Sequence, residues 1–371
     1  MDTALGGLER IVRGGAKGLS GVEELLAARA DLAALALRET LRELGGDRSV
    51  ASYAAYLASR TACLTLLAGA GSRWVKSVSL ARERGVGGAA ATFDLEKPRG
   101  LFPVRDLLAG RPSVPLAAYT LAAVRGLGSH VIVTRGAEPE IEAEILLPLG
   151  FLPGSYRFFT QEAPFGKPLG HGDAAWQCRA LWGGADYVVT NFGGDANSRL
   201  TVLSSLLVLD ALVSRGEDVD LLIPAAYQPN PAYPIRLDAE GLPRGFGHAK
   251  LQGTPKPGSD PSSSSGSAAG AYTNVGLRIY RAPALLAAVE SFRREYWEEG
   301  TGYAIPGNDP AGHEFALDNV DAALAAAGRA RILPIARPEE LCPAKAYEDL
   351  PAFEAAVEKV LVEDLRAGFQ S

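Results

Sequence analysis

The chain has 371 residues, of which 47% are hydrophobic and 22% charged, and it carries a formal net charge of -6. This composition is ordinary for a globular protein with a sizeable core, whereas the negative net charge argues against a nucleic-acid partner. The first residues carry charges without an apolar stretch, and no uncharged run reaches the length of a membrane span. We therefore expect a cytoplasmic protein without a membrane partner, in which an anionic substrate needs a local positive site.

The predicted elements divide the chain into three parts. Residues 1–58 mix leucines with alanines and charges, which predicts a helical N-terminal segment packed on the core. Residues 59–330 alternate short apolar runs with helical stretches, which predicts a Rossmann-like α/β domain whose mainly parallel mixed sheet is flanked by helices. Residues 331–371 predict one more strand, followed by a helix at 350–367.

The α/β part carries the elements that can position a site. The predicted strands are 63–67, 130–134, 157–160, 187–190, 220–224 and 275–280, and the predicted helices lie near 114–125, 138–148, 172–182 and 199–214. Residues 237–247 predict an inserted hairpin, and the low-complexity residues 253–270 predict a flexible loop or, alternatively, a lid over substrate. Ligands of such sheets are expected at the carboxyl ends of the strands.

The strongest chemical signal is the glycine-rich turn after the first predicted strand, LTLLAGAGSR at residues 64–73. Glycines at a strand exit let the backbone approach a phosphate, and the N–H groups of the turn can bind it. A dinucleotide fingerprint needs a third glycine where Trp74 stands, and a Walker loop needs a glycine where Val75 stands. An ordinary tight turn is the alternative. The pattern that remains, Gly-x-Gly-Ser/Thr-Arg, is matched by Gly69, Gly71, Ser72 and Arg73.

A second basic segment, EKPRGLFPV, follows at residues 96–104. Lys97 and Arg99 place two cations beside a proline-stiffened turn, which suits a phosphate, although a solvated surface turn is the alternative. With the glycine turn, this segment resembles the sugar-nucleotide pyrophosphorylases, nucleotidyltransferases with Leu-Ala-x-Gly-x-Gly-Thr-Arg followed by Pro-Lys-x-x-x-Pro-Val. The similarity is closest to the UDP-glucose and UDP-N-acetylhexosamine pyrophosphorylase branch, in which a helical segment also precedes the turn.

Four further segments resemble that branch in the family's order. Gln161 and residues 164–173, PFGKPLGHGD, resemble its Pro-x-Gly-His-Gly-Asp segment near the nucleotide base. Residues 190–197, TNFGGDAN, resemble the strand end that carries its metal-binding Asp. Residues 271–280 resemble the strand whose Asn contacts the sugar, and residues 313–321, HEFALDNVD, lie where the family has a second acidic region.

The resemblance, which spans about residues 61–325, includes a departure. More residues separate the glycine turn from Lys97 than is usual in the family, so residues 74–96 look like an insertion. The basic residues also stand in the order Lys-Pro-Arg. The phosphate lysine is therefore either Lys97 or Lys76, and Arg99 can share its role.

The resemblance implies the nucleotide-diphospho-sugar transferase fold and a Mg²⁺-dependent reaction. An NTP, with UTP favoured, and a sugar 1-phosphate would give an NDP-sugar and pyrophosphate, and the protein would mainly position reactants and neutralise charge. The expected catalytic residues are Arg73 and Lys97, and the expected metal ligands are Asp195 with Asp318 or Asp321. The expected nucleotide contacts are Gly69, Ala70, Gly71, Ser72, Arg73, Gln161, Gly170, His171 and Gly172, and the expected phosphate or sugar contacts are Arg99, Asn274 and Lys250.

Several alternatives remain open at this point. Asp195 could serve as a helix cap or turn residue, and His171, with no second His or Cys near it, favours structural hydrogen bonding over metal binding. A nucleotide-sugar-dependent glycosyltransferase usually holds its metal with Asp-x-Asp, whereas Ala196 and Asn197 follow Asp195 here. A catalytically silent nucleotide-binding or regulatory protein of the same fold is the other alternative.

Overall fold

The computed structural model describes residues 56–366 except 58, 70, 110, 215, 230, 232–233, 240, 247–270 and 309–312. Nearly all of the helical segment predicted at 1–58 lies outside the described residues, as do the loop predicted at 253–270, Ala70 and Lys250. No helix in the described part of the chain is long and apolar enough to cross a membrane.

Strands and helices alternate along most of the described chain. The strands are β1 (Thr61–Leu66), β2 (Pro103–Val104), β3 (Val114–Pro115), β4 (Ser129–Thr134), β5 (Tyr156–Thr160), β6 (Tyr187–Phe192), β7 (Leu221–Gln228), β8 (Ile235–Leu237), β9 (Pro243–Phe246), β10 (Ala271–Asn274), β11 (Arg278–Arg281), β12 (Trp297–Glu298), β13 (Gly302–Tyr303) and β14 (Ala330–Leu333). The helices are α1 (Ser72–Glu83), α2 (Ala89–Thr92), α3 (Ala117–Val124), α4 (Glu138–Ile141), α5 (His171–Gln177), α6 (Arg179–Trp182), α7 (Arg199–Ser214), α8 (Ala282–Tyr296), α9 (Leu317–Ala326) and α10 (Leu350–Arg366).

A large mixed sheet organises these elements. Its strand order is β10-β7-β11-β6-β1-β4-β5, and β14 also pairs with β7. β1 lies between β4 and β6 and runs parallel to both, and the pairs β4–β5 and β7–β14 are parallel as well. β10 and β11 run antiparallel to β7, and β11 also runs antiparallel to β6. The predicted α/β fold with a mainly parallel mixed sheet is confirmed.

The predicted elements are found within a few residues of their expected positions, with three differences. The strand predicted at 275–280 is interrupted because Gly276, with a φ of +83°, separates β10 from β11. The helix predicted at 172–182 breaks at Cys178 into α5 and α6. The helix predicted at 138–148 is a single turn, α4, that continues as a π-helical turn at Glu142–Leu146. The predicted hairpin is present as the antiparallel pair β8–β9.

Helices cover both faces of the sheet. Leu64 of β1 belongs to the apolar cluster formed with α5, α8 and α9, whereas its neighbour Cys63 belongs to the cluster formed with α7. This alternation is expected because successive side chains of a strand point to opposite faces. All six residues of β1 are buried, as is typical of a parallel strand covered on both sides. A third cluster, with Trp74, Phe102 and Phe353, joins α1, α3 and α10.

Parallel pairing brings the predicted site segments to one edge of the sheet. The register of β1 and β6 aligns Leu66 with Phe192, the last residues of the two strands. The chain therefore leaves both strands side by side. The glycine turn follows β1, and the loop with Asp195 follows β6.

Candidate active site

The glycine turn connects β1 to α1, as its sequence predicts. β1 ends at Leu66, and α1 begins at Ser72 directly after Gly71, whose φ of 60° lies in the left-handed region. The first N–H groups of a helix have no partners within the helix and can bind an anion. Arg73 is exposed in the first turn of α1. The described part of the turn thus leads from a strand end into a helix N-terminus, a place where a phosphate can bind.

Residues 74–96, which look like an insertion in the sequence, form α1 and α2. Trp74, at the position where a dinucleotide fingerprint has glycine, is 2% exposed and packs against Phe102 with ring centroids 4.9 Å apart. The chain then returns to the turn, where a Cβ at Gly100 would lie 3.6 Å from Leu67 Cδ2. The two helices therefore leave the basic segment at residues 96–104 beside the glycine turn.

Asp195 lies in the loop after β6, next to the residues that follow β1. A Cβ at Gly193 would lie 2.0 Å from Leu67 Cδ2, so any larger residue there requires the Leu67 side chain to move. The hydroxyl of Thr120 lies 3.0 Å from the carbonyl oxygen of Asp195 and fixes the backbone of the loop. Asp195 is 6% exposed, and its Oδ2 atom has no hydrogen-bond partner among the described residues. A buried charged oxygen of this kind is stabilised by a cation.

Cations surround the Asp195 carboxylate. Burial raises the pKa of Asp195 to about 6, and the charges of Lys345, Arg99 and Arg278 oppose that rise. Arg99 reaches this point because residue 194 is glycine: a Cβ at Gly194 would lie 2.8 Å from Arg99 Nη2. The Asp195 carboxylate is therefore buried within electrostatic range of three cations.

Arg99 links the Asp195 loop to the glycine turn. Burial lowers the pKa of Arg99, the charge of Asp195 raises it, and the charge of Arg73 lowers it further. The three charges thus act on one another in a single neighbourhood. Since two guanidinium groups repel each other when close and partly desolvated, an anion between them would be stabilised.

Sequence patterns do not point to Lys345, which reaches the site from the chain between β14 and α10. The N–H group of Ala344 donates to the carbonyl oxygen of Gly194 at 2.9 Å, which joins this segment to the Asp195 loop. The N–H group of Lys345 donates to Asp349 Oδ2 at 2.9 Å. No motif surrounds this lysine in the sequence, so only the fold reveals its place.

Lys97 and Lys76, the two lysines proposed for phosphate binding, are not among the cations that act most on Asp195. Lys97 Nζ lies 3.4 Å from Glu140 Oε1, and both side chains are more than a third exposed. Lys76 is exposed on α1. The cations that act most on Asp195 are Lys345, Arg99 and Arg278, so a phosphate role for Lys97 or Lys76 stays a prediction.

Asp318 and Asp321, expected near the metal, bind a buried arginine that the sequence analysis did not single out. Arg278 Nη2 lies 3.0 Å from Asp318 Oδ1, and Arg278 Nε lies 2.6 Å from Asp321 Oδ2. The hydroxyl of Tyr280 donates to Asp321 Oδ1 at 2.5 Å. Burial lowers the pKa of Arg278, but the two carboxylates outweigh it and raise that pKa. The signal available in the sequence was the single charge of Arg278 within the otherwise apolar run VGLRIY at residues 275–280, which indicates a buried ion pair.

These contacts bear on the predicted metal ligands. In the part of the chain that is described, no group of three or more His, Cys, Asp or Glu side chains is arranged to hold a metal ion. Asp318 and Asp321 are both engaged by Arg278. Mg²⁺ often takes one or two carboxylates and completes its coordination with phosphate and water. The Asp195 oxygen without a hydrogen-bond partner among the described residues is compatible with that coordination, and a metal role for all three carboxylates stays a prediction.

Gln161 lies beside the turn at residues 170–172, as expected for groups proposed to contact the nucleotide base. The polar groups of both, however, form hydrogen bonds within the protein. Gln161 Nε2 donates to the carbonyl oxygen of Gly170 at 3.1 Å. The N–H group of Gly172 donates to the carbonyl oxygen of Phe315 at 2.9 Å. A Cβ at Gly170 would lie 2.4 Å from that same oxygen, so the glycine is needed for packing. Base recognition by these groups stays a prediction.

His171 occupies a structural position at the start of α5. Its Nδ1 atom accepts the N–H group of Leu317 at 2.8 Å, and its Nε2 atom lies 3.4 Å from Asp318 Oδ2. The imidazole also packs edge-on against Phe192, with ring centroids 5.1 Å apart. These contacts agree with the structural hydrogen bonding that the sequence favours.

The turn between β10 and β11 packs on Asp195. A Cβ at Gly276 would lie 2.1 Å from Asp195 Oδ2. Asn274 Oδ1 accepts the N–H group of Gly276 at 2.7 Å, and Asn197 Nδ2 donates to the carbonyl oxygen of Val275 at 3.0 Å. Asn274, the predicted sugar contact, therefore lies two residues from a position in contact with the buried carboxylate.

The fold and the site define a class of protein: an α/β protein with a cationic site around a buried carboxylate at the carboxyl ends of parallel strands. No protein-family model matches the sequence, and no curated protein matches it at a significant level. The likeness to the pyrophosphorylases therefore rests on the sequence motifs alone.

Proposed function

We propose that the chain is a Mg²⁺-dependent nucleotidyltransferase that joins an NTP, with UTP the favoured donor, to a sugar 1-phosphate and releases pyrophosphate. The main support is the buried Asp195 oxygen without a hydrogen-bond partner among the described residues, which lies among cations after β6. The choice of UTP and of a sugar phosphate comes from the motif resemblance alone.

The proposed reaction is an in-line attack by a phosphate oxygen of the sugar 1-phosphate on the α-phosphorus of the NTP. A bond forms between that oxygen and the α-phosphorus, and the bond from the α-phosphorus to the bridging oxygen of the β-phosphate breaks. Pyrophosphate leaves with the electron pair. Such a transfer depends on positioning and on charge neutralisation more than on covalent help from the protein.

The charged residues have complementary roles in this proposal. Arg73 and the N–H groups of the glycine turn hold the β- and γ-phosphates and stabilise the leaving group. Arg99 and Lys345 draw together the α-phosphate and the acceptor phosphate, a role for which the sequence offers Lys97 or Lys76 with help from Arg99. Asp195 would hold a Mg²⁺ ion, which when bound would neutralise charge on the phosphate oxygens.

A second candidate function is a catalytically silent nucleotide-binding protein. The observation that favours it is the pairing of Asp318 and Asp321 with Arg278, because carboxylates that neutralise a buried arginine are less suited to a metal ion. A single protein ligand can retain a metal–nucleotide complex without aligning the acceptor. Turnover separates the two candidates.

Pyrophosphate release tests the proposed function. The purified chain is incubated with each NTP, Mg²⁺ and a panel of sugar 1-phosphates, and NTP binding is measured in parallel. The proposal expects release with UTP and at least one sugar 1-phosphate, and loss of release in Asp195→Ala. Asp218→Ala, at a side chain 77% exposed, is the matched control. Binding of an NTP without release from any pair supports the silent protein, and absence of binding rejects both candidates.

A further inference from the structure

We propose that Glu340 and Asp364 are positioning residues, which fix the loop that carries Asp195. Both carboxylates lie in the tail, after β14, and both are buried, with exposures of 1% and 6%. The functional part of this inference rests on the proposed metal role of Asp195, whereas its structural part concerns the conformation of the loop.

Glu340 bonds to the chain immediately after the loop. Its Oε2 atom accepts the N–H group of Ser198 at 2.9 Å, and its Oε1 atom accepts the hydroxyl of Thr201 at 2.9 Å. The same Oε1 atom accepts the N–H group of Arg337 at 3.0 Å, which orients the carboxylate from its own segment. Glu340 therefore ties the tail to a point three residues after Asp195.

Asp364, in the last turn of α10, bonds to the same point. Its Oδ1 atom accepts the hydroxyl of Ser198 at 2.6 Å and the N–H group of Leu200 at 3.2 Å. Its Oδ2 atom accepts the N–H group of Arg199 at 2.8 Å. The first N–H groups of α7, which have no partners within a helix, are thus bound by carboxylates from the tail, where the helix dipole favours negative charge.

The tail also holds the other end of the loop. The N–H group of Ala344 donates to the carbonyl oxygen of Gly194 at 2.9 Å. Residues 194–198 are therefore attached to the tail on both sides of Asp195. We refer to these contacts of Ala344, Glu340 and Asp364 with residues 194–201 as the tail clasp.

Helix capping alone does not account for the tail clasp. The hydroxyl of Ser198 already accepts the N–H group of Thr201 at 3.4 Å, which is the bond that an ordinary serine cap makes. Burying two additional carboxylates is unfavourable unless their oxygens are well bonded. Their bonds converge on the residues that follow Asp195, so the expected gain is a fixed direction for the Asp195 carboxylate.

Isosteric variants of the clasp test this inference. Glu340→Gln and Asp364→Asn each keep the side-chain shape while one oxygen that accepts an N–H group becomes an amide. Glu358→Gln is the matched control, because Glu358 also lies on α10 but is 56% exposed and pairs with Arg105. Ser198→Ala removes one bond to Asp364, together with the cap bond from the Thr201 N–H group, without changing either carboxylate. It covers the case in which a tail variant does not fold.

Two measurements are made on each folded variant. Hydrogen exchange reports the protection of residues 193–200, and electron paramagnetic resonance reports Mn²⁺ binding to the chain with UTP. In Glu340→Gln and Asp364→Asn we expect faster exchange in 193–200 and a rise of about tenfold in the Mn²⁺ dissociation constant, the size typical of changes behind a metal ligand. Ser198→Ala should move both readouts in the same direction by less, and Glu358→Gln should move neither.

The outcomes separate this inference from the proposed function. Tail variants with wild-type Mn²⁺ binding and wild-type exchange in 193–200, even at a lower melting temperature, would show that the two carboxylates only stabilise the fold. A wild-type chain that binds no Mn²⁺ with UTP rejects the proposed function and the metal-positioning role with it. In that case, exchange in 193–200 still decides whether the tail carboxylates fix the loop.

Discussion

The carboxylate of Asp195 must be ionised to bind a cation, and its surroundings act on its ionisation in two opposite ways. Burial disfavours the charge, whereas Lys345, Arg99 and Arg278 favour it, and the balance is a pKa raised to about 6. Above that pH the Asp195 carboxylate is charged, although its burial makes the charge energetically unfavourable. A cation bound to this carboxylate would reduce that cost.

The raised pKa predicts a pH dependence of metal binding. As the pH falls from 8 to 5, Mn²⁺ binding to the chain with UTP should weaken steeply through about 6, because Asp195 becomes protonated. Part of any decline comes from the nucleotide itself. Asp195→Asn measures that part, and the same titration curve in wild type and variant would contradict a metal role for Asp195.

The same shift predicts a stabilising substitution. The folded state binds the Asp195 proton more tightly than the unfolded state, whose usual pKa is 3.8, so stability falls as the pH rises between about 4 and 6. Asp195→Asn should therefore raise the free energy of unfolding above pH 6 by up to about 3 kcal/mol, with no gain near pH 4. Urea denaturation at both pH values checks this. Equal stability of variant and wild type at both pH values would mean that burial does not penalise the Asp195 charge.

Arg278 allows a prediction about a buried ion pair. Arg278→Leu leaves two buried carboxylates without their cation, which should cost about 3–5 kcal/mol of stability. Arg179→Leu, at an arginine that is 36% exposed and 3.4 Å from Glu290, should cost about 1 kcal/mol or less. Urea denaturation compares the two variants, and similar losses would show that Arg278 does not neutralise Asp318 and Asp321.

At the scale of secondary-structure elements, strands could be predicted wherever a local pattern of apolar residues determines them. The contacts within the site could not be predicted, because they depend on tertiary pairing. The short apolar run around 187–190 marks a strand, and β6 follows from it. The break at Gly276 depends on the approach of the Asp195 carboxylate from a distant part of the chain, which no local pattern records. The positions of Arg278 and Lys345 in the site likewise depend on contacts between distant parts of the chain, which no local pattern records.

The β10–β11 turn carries a prediction about close approach. Gly276→Ala places a methyl group 2.1 Å from Asp195 Oδ2 at a φ of +83°, whereas Gly85→Ala, at a φ of +76°, meets no atom within 4 Å. Both variants suffer the backbone penalty of about 1–2 kcal/mol for a left-handed alanine. Gly276→Ala should lose more stability than that and also weaken Mn²⁺ binding with UTP. Equal losses in the two variants, measured by urea denaturation, would contradict this packing.

At the scale of the whole molecule, the tail completes a site that the α/β part begins. β14 pairs with β7 in the main sheet, and the chain after it supplies Lys345 to the Asp195 loop. The net charge of -6 is compatible with a local group of cations, as the composition leads one to expect for an anionic substrate. The glycine turn, Arg99 and Asp195 could be anticipated from motifs near strand ends. The contribution of the tail could not, because its contacts join residues more than a hundred positions apart.

A crystal of the chain with UTP and Mn²⁺, examined by anomalous scattering from the metal, tests the central claim most directly. The account predicts one Mn²⁺ within about 2–2.5 Å of Asp195 Oδ2, with the triphosphate between the glycine turn and the side chains of Arg73, Arg99 and Lys345. Nucleotide bound without a metal at Asp195, or metal and nucleotide bound elsewhere on the chain, would contradict it.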